Sequence, residues 1–242
     1  MSRGARPTRS PAATLQAAAC TCVLFDLGGT LDADGTPWKE RFLRLYRDEG
    51  VAPPTEQFDR AFYAADDALV GALPLTLPLR ETVVRLAAGV TRGLGLQDPL
   101  LVERIAGRFV EEARERLSAN TALLGQLSRR YRLGVVSNFY GNLATVCREV
   151  GLDGFFTVVV DSAQVGWIKP DPRIFRRALG ALRAEPAEAI FVGDSLRRDM
   201  VGARQVGMPH IWLAPEGSRS EGPCCPNDPV VQTLDALRGL LL

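Results

Sequence analysis

The sequence predicts an α/β protein in which a doubly wound parallel sheet carries an inserted all-helical domain. Three observations support this fold class. A short apolar run ends in two glycines at residues 22–29, which is typical of a buried strand entering a tight turn. Residues 36–118 then show apolar side chains at helical spacing. From residue 119 onwards short apolar runs alternate with helical patterns, which indicates parallel strands with helices on both faces.

The first half of the chain is predicted to contain one strand and four helices. The strand covers residues 22–27 (CVLFDL). The helices are predicted over residues 37–50, 54–71, 77–96 and 98–117. Since they follow the first strand directly, they are expected to be an insertion and not a separate N-terminal domain. Their aromatic side chains are expected in the core, with one or two lining a substrate pocket; they include Trp38, Phe42, Phe58, Phe62 and Tyr63.

The second half of the chain alternates between the two kinds of element. Strands are predicted over residues 132–138, 155–162, 189–195 and 210–215. Helices are predicted over residues 121–131, 141–152, 172–182, 197–207 and 230–242. Residues 215–229 are rich in Pro, Gly and Ser and are expected to form a loop. His210, the only histidine, is expected to begin the last strand.

The composition is that of a globular protein with an ordinary core. Of 242 residues, 46% are hydrophobic and 24% are charged. The net charge of +1 gives no basic field for binding nucleic acid or an acidic membrane surface. No apolar run approaches the roughly 18–20 residues that a membrane-spanning helix needs. We therefore expect a soluble protein without a nucleic-acid or membrane partner; whether it is a monomer or a homodimer stays open.

The cysteines and the N-terminal segment bear on the compartment. Five cysteines without a secretory signal favour a reducing, cytoplasmic location. Cys20-x-Cys22 and Cys224-Cys225 have no histidine nearby and match no common zinc motif, so free thiols are favoured over a metal or redox role. Residues 1–19 contain three arginines and no acid. They are expected to be a disordered tail or the product of an early start codon, with a targeting peptide as the alternative.

Polar side chains follow the predicted strands at their carboxyl ends or lie in the loops beyond them. They are Asp26, Ser137, Asn138, Lys169, Asp194 and Asp199. Ligands of open α/β sheets bind at this edge, so these residues are predicted to form one site. Carboxylates suit a hard cation such as Mg²⁺, and a lysine with hydroxyl and amide donors suits phosphoryl oxygens.

Four stretches resemble the motifs of the haloacid dehalogenase (HAD) superfamily, in the superfamily's order. They read FDLGGTL, VVSN, KPDPRIF and GDSLRRDMVGARQVGM. Their spacing is similar to that of members with a helical cap after the first motif, and the resemblance covers about residues 22–213. It implies a Rossmann-like core formed by residues 20–35 and 119–242, with a C1-type helical cap over residues 36–118.

The resemblance also implies a reaction: Mg²⁺-dependent hydrolysis of a small phosphorylated metabolite. Asp26 would be the nucleophile that becomes an aspartyl-phosphate. Ser137, the amide of Asn138 and Lys169 would bind the phosphoryl group, and Lys169 would also pair with Asp26.

A metal site is implied at the same place. Asp26, the backbone carbonyl of Gly28 and Asp194 would ligate Mg²⁺. Asp199 would ligate the ion directly or support the residues that do.

Position 28 departs from the superfamily pattern. Phosphatases of the superfamily carry a second Asp two residues after the nucleophile, which protonates the leaving group and then activates water. Gly28 can do neither. A general acid/base contributes about 10²–10⁴-fold, so slow turnover is expected. Asp32 and Asp34 lie just past the motif and are candidate surrogate acids.

Two other functions stay open. A haloacid dehalogenase needs no leaving-group proton, but the retained Asp194 and Asp199 favour metal and phosphate. A phosphonatase-like variant is disfavoured because residues 50–118 contain no lysine. The second alternative is a phosphate- or metabolite-binding protein with a regulatory role. This alternative differs from an enzyme in one respect. An enzyme needs a group that supplies a proton where the second Asp of the first motif would stand, and Gly28 has no side chain to do so.

Overall fold

A computed structural model describes residues 20–215 and 228–242. At its centre is a sheet of six parallel strands. They are β1 (Cys22–Phe25), β2 (Arg132–Ser137), β3 (Phe156–Asp161), β4 (Ala189–Gly193), β5 (His210–Leu213) and β6 (Val230–Val231). Their spatial order is β3-β2-β1-β4-β5-β6. The predicted α/β fold class is confirmed.

Some predictions fall on parts of the chain outside the described residues. These are the tail over residues 1–19, Cys224 and Cys225, and most of the loop over residues 215–229. The described cysteines, Cys20, Cys22 and Cys147, form no disulfide with one another. Among the described residues, no helix is both long and apolar enough to span a bilayer.

Nine α-helices flank the sheet within the described ranges. They are α1 (Trp38–Asp48), α2 (Thr55–Leu69), α3 (Leu79–Gly93), α4 (Pro99–Leu127), α5 (Leu143–Glu149), α6 (Ser162–Val165), α7 (Pro172–Leu182), α8 (Val201–Gln205) and α9 (Arg238–Leu241). Wide turns over Leu27–Leu31 and Leu196–Met200 follow β1 and β4. Helices α1–α4 all lie between β1 and β2 in the chain, as the sequence predicts for the insertion.

Helix α4 joins two helices that the sequence predicts separately. It continues without interruption through residue 118, where the predicted boundary between cap and core falls. The junction Ser118-Ala119-Asn120 contains no Gly or Pro to break the helix. The side chain of Asn120 is buried and donates to the carbonyl of Leu31 at 2.8 Å, which ties α4 to the turn after β1.

The two faces of the sheet enter separate apolar cores. Val23 and Phe25 of β1 pack in the larger core, which they share with α1–α4. Leu24 points the other way and packs with Phe175 of α7 and Phe191 of β4. This alternation is what a strand covered by helices on both faces requires. The doubly wound arrangement therefore follows from the apolar character of the whole strand.

Strand β1 sits where the strand order reverses. Phe25 pairs with Val135 of β2 on one side and Val192 of β4 on the other. The chain moves outward from β1 through β2 and β3 in one direction and through β4, β5 and β6 in the other. Ligands of open α/β sheets bind at the carboxyl edge of this switch point, and Asp26 is the next residue after Phe25.

The predicted closing helix over residues 230–242 is wrong at its start. Val230 and Val231 form β6, which pairs with Trp212 and Leu213 of β5. A 3₁₀ turn over Leu234–Leu237 and the short α9 complete the chain. Two adjacent β-branched residues favour a strand when a sheet edge is available, and the edge of β5 provides one. His210 begins β5, as predicted.

Candidate active site

One oxygen of Asp26 accepts two hydrogen bonds and forms an ion pair. Its Oδ1 accepts hydrogen bonds from the backbone amide of Leu27 at 2.8 Å and from the Ser137 hydroxyl at 2.7 Å. Lys169 Nζ lies 2.8 Å from the same oxygen. Oδ2 accepts no hydrogen bond from any described residue. One carboxylate oxygen is thus held in place while the other is available to a ligand.

Lys169 links Asp26 to Asp199. Its side chain is 1% exposed, and Nζ lies 2.6 Å from Asp199 Oδ1. Burial alone would lower the pKa of Lys169, but the charges of Asp199 and Asp26 and their hydrogen bonds raise it above the ordinary value. Lys169 is therefore a permanent cation between two carboxylates.

Asp194 and Asp199 complete an acidic cluster with Asp26. One carboxylate oxygen from each of the three lies within 4.8 Å of the others. Asp194 Oδ1 accepts from the Thr30 hydroxyl at 2.9 Å, and Asp199 Oδ2 accepts from the Ser195 amide at 3.0 Å. Burial, then the charges of Asp199 and Asp26, raise the pKa of Asp194 well above its ordinary value. Burial is also the main cause that raises the pKa of Asp199 to about 6.

The cluster fits a divalent cation. Among the described residues Lys169 is the one cation paired with these three carboxylates, and burial, together with neighbouring carboxylate charge, raises the pKa values of Asp194 and Asp199. Oδ2 of Asp26 and Oδ2 of Asp194 accept no hydrogen bond from the described residues, so each can serve as a ligand. Oxygen donors of this kind are those that Mg²⁺ prefers. Both oxygens of Asp199 are already engaged and its side chain is fully buried, so Asp199 holds Lys169 and the Ser195 amide in place.

Asn138 fixes the loop that carries Lys169. Its Oδ1 accepts from the backbone amide of Lys169 at 2.7 Å, and its Nδ2 donates to the Lys169 carbonyl at 3.2 Å. The end of β2 and the lysine loop are thereby joined by a pair of hydrogen bonds. The side chain of Asn138 acts on the lysine, which leaves only its backbone amide for the phosphoryl contact implied by the sequence.

These residues open into one cavity of about 620 Å³. From the sheet edge it is lined by Asp26, Gly28, Ser137, Asn138, Lys169 and Asp194. From the inserted helices it is lined by Trp38, Lys39, Glu40, Phe62, Tyr63 and Asp66. Ser137 is 111 residues from Asp26 in the chain and Lys169 a further 32, so the parallel sheet brings the predicted site residues together.

Comparison with known proteins identifies the family. The sequence matches the haloacid dehalogenase-like hydrolase family over residues 20–207, most of the chain. The chain belongs to this family. Haloacid dehalogenase-like hydrolase domain-containing protein 3 from Bos taurus is 46% identical over 95 residues, which cover 39% of this chain and 38% of that protein. Phosphoserine phosphatase from Thermus thermophilus is 35% identical over 153 residues, covering 60% and 58%. The chain therefore aligns with less than two-thirds of the length of either relative.

Solved structures of the family share the fold. A HAD phosphatase from Thermococcus onnurineus superposes with a TM-score of 0.59 at 24% identity, covering 91% of this chain and 97% of that one. A dehalogenase superposes with a TM-score of 0.64 at 21% identity, covering 92% and 97%. At these identities the superpositions show the fold alone, and the side chains of the site must decide the chemistry.

In this HAD-like hydrolase the space beside Gly28 is filled by Trp38. A Cβ added to Gly28 would lie 3.0 Å from Trp38 Nε1. The indole is held by the edges of Phe109 and Phe139, with ring centroids 4.9 and 5.8 Å away. It also donates from Nε1 to Asp32 Oδ2 at 2.7 Å. An aromatic ring thus stands where the missing acid of the first motif would begin. The amphipathic pattern of α1 placed Trp38 among the core or pocket aromatics but could not show which atoms it touches.

Neither candidate surrogate acid lines the cavity of Asp26. Asp32 is 3% exposed, and burial raises its pKa against the opposing charge of Arg41. Its oxygens accept from the Gly29 amide at 2.7 Å, from Trp38 and from Arg41 Nη1 at 2.9 Å. Asp34 is 2.7 Å from Arg116 and accepts from the Leu234 amide at 2.9 Å. Both carboxylates brace the turn after β1, so the structure does not support the expectation that either replaces the acid.

Proposed function

We propose that this protein hydrolyses small phosphate monoesters with Mg²⁺ through a phosphoryl group carried on Asp26. The observation that carries the proposal is the convergence of Asp26, Ser137 and Lys169 in one cavity with the Asp194 carboxylate. A nucleophilic carboxylate, a hydroxyl donor and a buried cation are the groups that phosphoryl transfer requires. The phosphatase names among the relatives support the same class of reaction.

Each residue of the site has a role in the proposed reaction that follows from its chemistry. Asp26 attacks phosphorus, and the ester oxygen leaves. Lys169 and the Ser137 hydroxyl, which now contact Asp26, would turn to the phosphoryl oxygens and neutralise their charge. Asp26 and Asp194, with the Gly28 carbonyl, would hold Mg²⁺, which supplies further positive charge to the phosphoryl group when it is bound. Asp199 keeps Lys169 ionised and in place.

A binding or regulatory role is the second candidate, and one observation favours it. The indole of Trp38 lies 3.0 Å from the Cβ that a second acid at position 28 would carry. If no other group exchanges protons with the substrate, the site would hold a phosphorylated ligand with little turnover. Dehalogenation has no comparable support, because the three clustered carboxylates suit a metal better than a halide.

A hydrolysis assay on aryl, acyl and alkyl phosphates, with Mg²⁺ and with EDTA, tests the proposal. We expect phosphate release that depends on Mg²⁺. Isothermal titration of the same protein with phosphate and vanadate in Mg²⁺ is the companion measurement. Tight binding of these anions without hydrolysis of any substrate would replace the enzymatic proposal with the binding role. If the protein shows no binding of these anions and no hydrolysis, the enzymatic proposal and the binding role are both refuted.

The metal site predicts a pH-dependent stabilisation. We expect Mg²⁺ at 100 times its dissociation constant to raise the free energy of unfolding by about 2.7 kcal/mol at pH 8. A carboxyl group whose pKa is raised in the folded state keeps its proton longer there than in the unfolded state. The metal-free protein therefore loses stability as the pH rises from about 4 towards the raised pKa. Burial raises the pKa of both Asp194 and Asp199, so the benefit of Mg²⁺ is expected to be smaller at pH 5 than at pH 8.

Thermal unfolding in Mg²⁺ and in EDTA measures this effect. Asp194→Asn is expected to lose most of the Mg²⁺ stabilisation while being at least as stable as wild type in EDTA at pH 8, because one like charge is gone. Asp67→Asn, an exposed position outside the cavity, is the matched control. An equal Mg²⁺ shift in Asp194→Asn and wild type would contradict the assigned ligand.

The packing of Trp38 predicts that a side chain at position 28 destabilises the protein. Gly28 has φ −75°, so alanine meets no backbone strain there. Its Cβ would press on an indole that is packed against Phe109 and Phe139 and hydrogen-bonded to Asp32, and we expect a cost of about 1–3 kcal/mol. Gly107→Ala is the control: it lies in α4 with nothing within 4 Å of the added Cβ, and it should stabilise by about 0.5–1 kcal/mol. Urea unfolding measures both.

The same clash bears on Gly28→Asp. We expect this variant to be destabilised and to gain no phosphatase activity, because the indole blocks the new carboxylate. In a Trp38→Ala background, the stability cost of Gly28→Ala is expected to vanish, which would show the coupling directly. A gain of about 10²-fold or more in Gly28→Asp alone would show that the indole yields.

A further inference from the structure

A carboxyl group from the inserted helices also faces the cavity that contains Asp26. Asp66 lies near the end of α2 and accepts a hydrogen bond on Oδ1 from the Tyr140 hydroxyl at 2.5 Å. Tyr140 is the third residue after Ser137, and its carbonyl accepts from the Gly71 amide at 3.3 Å. Two hydrogen bonds therefore fasten the end of α2 to the loop that follows β2. Asp66 and Tyr140 both line the cavity that contains Asp26.

The pair lies next to the indole that fills the space beside Gly28. The ring of Tyr140 is 6.5 Å from that of Trp38, centroid to centroid. Trp38 in turn reaches within 3.0 Å of a Cβ placed on Gly28. A contiguous path runs from Gly28 through Trp38 and Tyr140 to Asp66. The carboxyl group of Asp66 lines the same cavity as this ring.

The surroundings of Asp66 raise its pKa. Burial raises its pKa, the hydrogen bond from Tyr140 and the charge of Arg198 lower it, and the charge of Asp67 raises it; the net direction is upward. Burial and the neighbouring Asp66 charge raise the pKa of Tyr140 well above its ordinary value, so its hydroxyl stays a donor. Asp66 can therefore carry a proton that an exposed carboxyl would have released.

The other acidic group on the helical wall of the cavity, Glu40, is less suited to the task. Glu40 is exposed, so water competes for its carboxylate. Lys39 lies 2.9 Å from Asp59 and 5.4 Å from the Tyr63 ring centroid, which leaves it as a cation on the helical wall. Asp66 is the carboxyl of this wall that combines burial, a fixed orientation and access to the cavity.

We propose that Asp66, oriented by Tyr140, donates the proton to the leaving group and then takes one from the attacking water. The inference rests on the proposed phosphohydrolase function and supplies the acid that the first motif lacks. Asp66 would be a catalytic residue, since it exchanges protons with the reacting oxygens. Tyr140 would be a positioning residue.

The proposed steps balance. As Asp26 bonds to phosphorus, the bond from phosphorus to the ester oxygen breaks, and that oxygen takes the Asp66 proton to leave as an alcohol. Water then attacks the phosphorylated Asp26 and passes a proton to the Asp66 carboxylate. The bond between phosphorus and Asp26 breaks, and phosphate departs. Asp26 returns as a carboxylate and Asp66 returns protonated.

Leaving-group dependence distinguishes a general acid from a structural tie. An alkoxide needs a proton to leave, whereas p-nitrophenolate and acetate do not. We expect Asp66→Asn to lower kcat/KM by about 10²–10⁴-fold on alkyl phosphates and far less on p-nitrophenyl phosphate and acetyl phosphate. With p-nitrophenyl phosphate the variant should release a burst of one product per enzyme and then turn over slowly, because the water-activating base is missing.

Two variants and a pH profile complete the experiment. Tyr140→Phe should show the same substrate selectivity with a smaller loss, and Glu56→Gln, exposed on the same helix and outside the cavity, should match wild type. For wild type, kcat/KM on alkyl phosphates should fall as pH rises through the pKa of Asp66, since the acid must be protonated. That fall should be absent in Asp66→Asn.

Each other outcome overturns the inference. Equal losses on all substrates would mean that Asp66 only joins α2 to the loop after β2, and no loss on any would exclude a role. A wild-type protein that hydrolyses aryl and acyl phosphates but no alkyl phosphate would lack a working acid, which refutes the inference and leaves the proposed function intact. A wild-type protein inert to all of them would refute both.

Discussion

Replacing Asp26 with asparagine is expected to lower phosphate release by at least about 10⁴-fold, because the amide cannot attack phosphorus. The fold should survive. The asparagine carbonyl can still accept from the Leu27 amide and the Ser137 hydroxyl, which now bond to Oδ1 at 2.8 and 2.7 Å. Removing one of three clustered carboxylates also relieves repulsion with Asp194 and Asp199. Circular dichroism and thermal unfolding check the fold, and a phosphate-release assay checks the activity.

Asp34→Asn is the matched control for this variant. It makes the same chemical change eight residues further on, in a residue with φ 43° that asparagine tolerates. Its carbonyl can keep the bond to the Leu234 amide, so activity should remain near that of wild type. Mass spectrometry after mixing with acetyl phosphate should detect an added phosphoryl group in wild type and none in Asp26→Asn. An active Asp26→Asn would show that another residue is the nucleophile.

The core of the site was predictable because parallel strands end at one edge. Apolar runs marked the strands, and the polar residue after each run marked its carboxyl end. That logic correctly placed Asp26, Ser137 and Asp194 together across a large separation in sequence. Lys169 lies in a loop, and the order of the four motifs was needed to place it. The structure adds the partner that holds it, Asp199, at 2.6 Å.

The contacts of the helical insertion were not predictable, since they depend on how helices pack. The pattern of α1 indicates which face is apolar, but whether Trp38 fills the space beside Gly28 depends on Phe109 and Phe139 from other elements. Asp66 appears in the sequence as one of two adjacent acids on α2, without a signal that one lines the cavity and the other is exposed. Asp32 was a candidate surrogate acid because its ion pair with Arg41, on the following helix, could not be read from the sequence.

The end of the chain illustrates a different limit. Residues 230–242 have apolar spacing compatible with a helix, yet Val230 and Val231 pair with β5. A two-residue strand carries too little periodicity to be read from sequence. Pairing with the edge of β5 decides the conformation of these two residues, and the residues next to them in the sequence give no sign of that pairing.

Lys169→Met is expected to have the largest effect on stability. Methionine fills similar space but leaves Asp199, which is fully buried, without its cation. Breaking a buried ion pair by removing one partner costs about 3–5 kcal/mol. Phosphate affinity and hydrolysis should also be lost, since the same ammonium group lies 2.8 Å from Asp26. Urea unfolding at pH 8 measures the stability, and phosphate titration measures the affinity.

The pH dependence of this variant follows from the carboxyl group that is left behind. Burial raises the pKa of Asp199 to about 6 even with Lys169 present, and losing the lysine should raise it further. A raised carboxyl pKa means that the folded state holds its proton longer, so the stability of the variant should fall as pH rises from about 4 to 8. Lys169 itself, whose pKa is raised, stays charged over this range in wild type. The deficit relative to wild type should therefore be smallest near pH 5.

Two further variants assign the cost to the buried pair. Lys169→Met combined with Asp199→Asn should regain part of the lost stability at pH 8, because no unpaired buried charge remains. Lys39→Met removes the chain's other lysine, whose 2.9 Å contact with Asp59 is partly exposed, and should cost about 0–1 kcal/mol. A Lys169→Met protein as stable as wild type at pH 8 would mean that Asp199 is already protonated there. Removing the lysine would then leave no unpaired buried charge, and the assignment of Lys169 and Asp199 as an ion pair at this pH would be wrong.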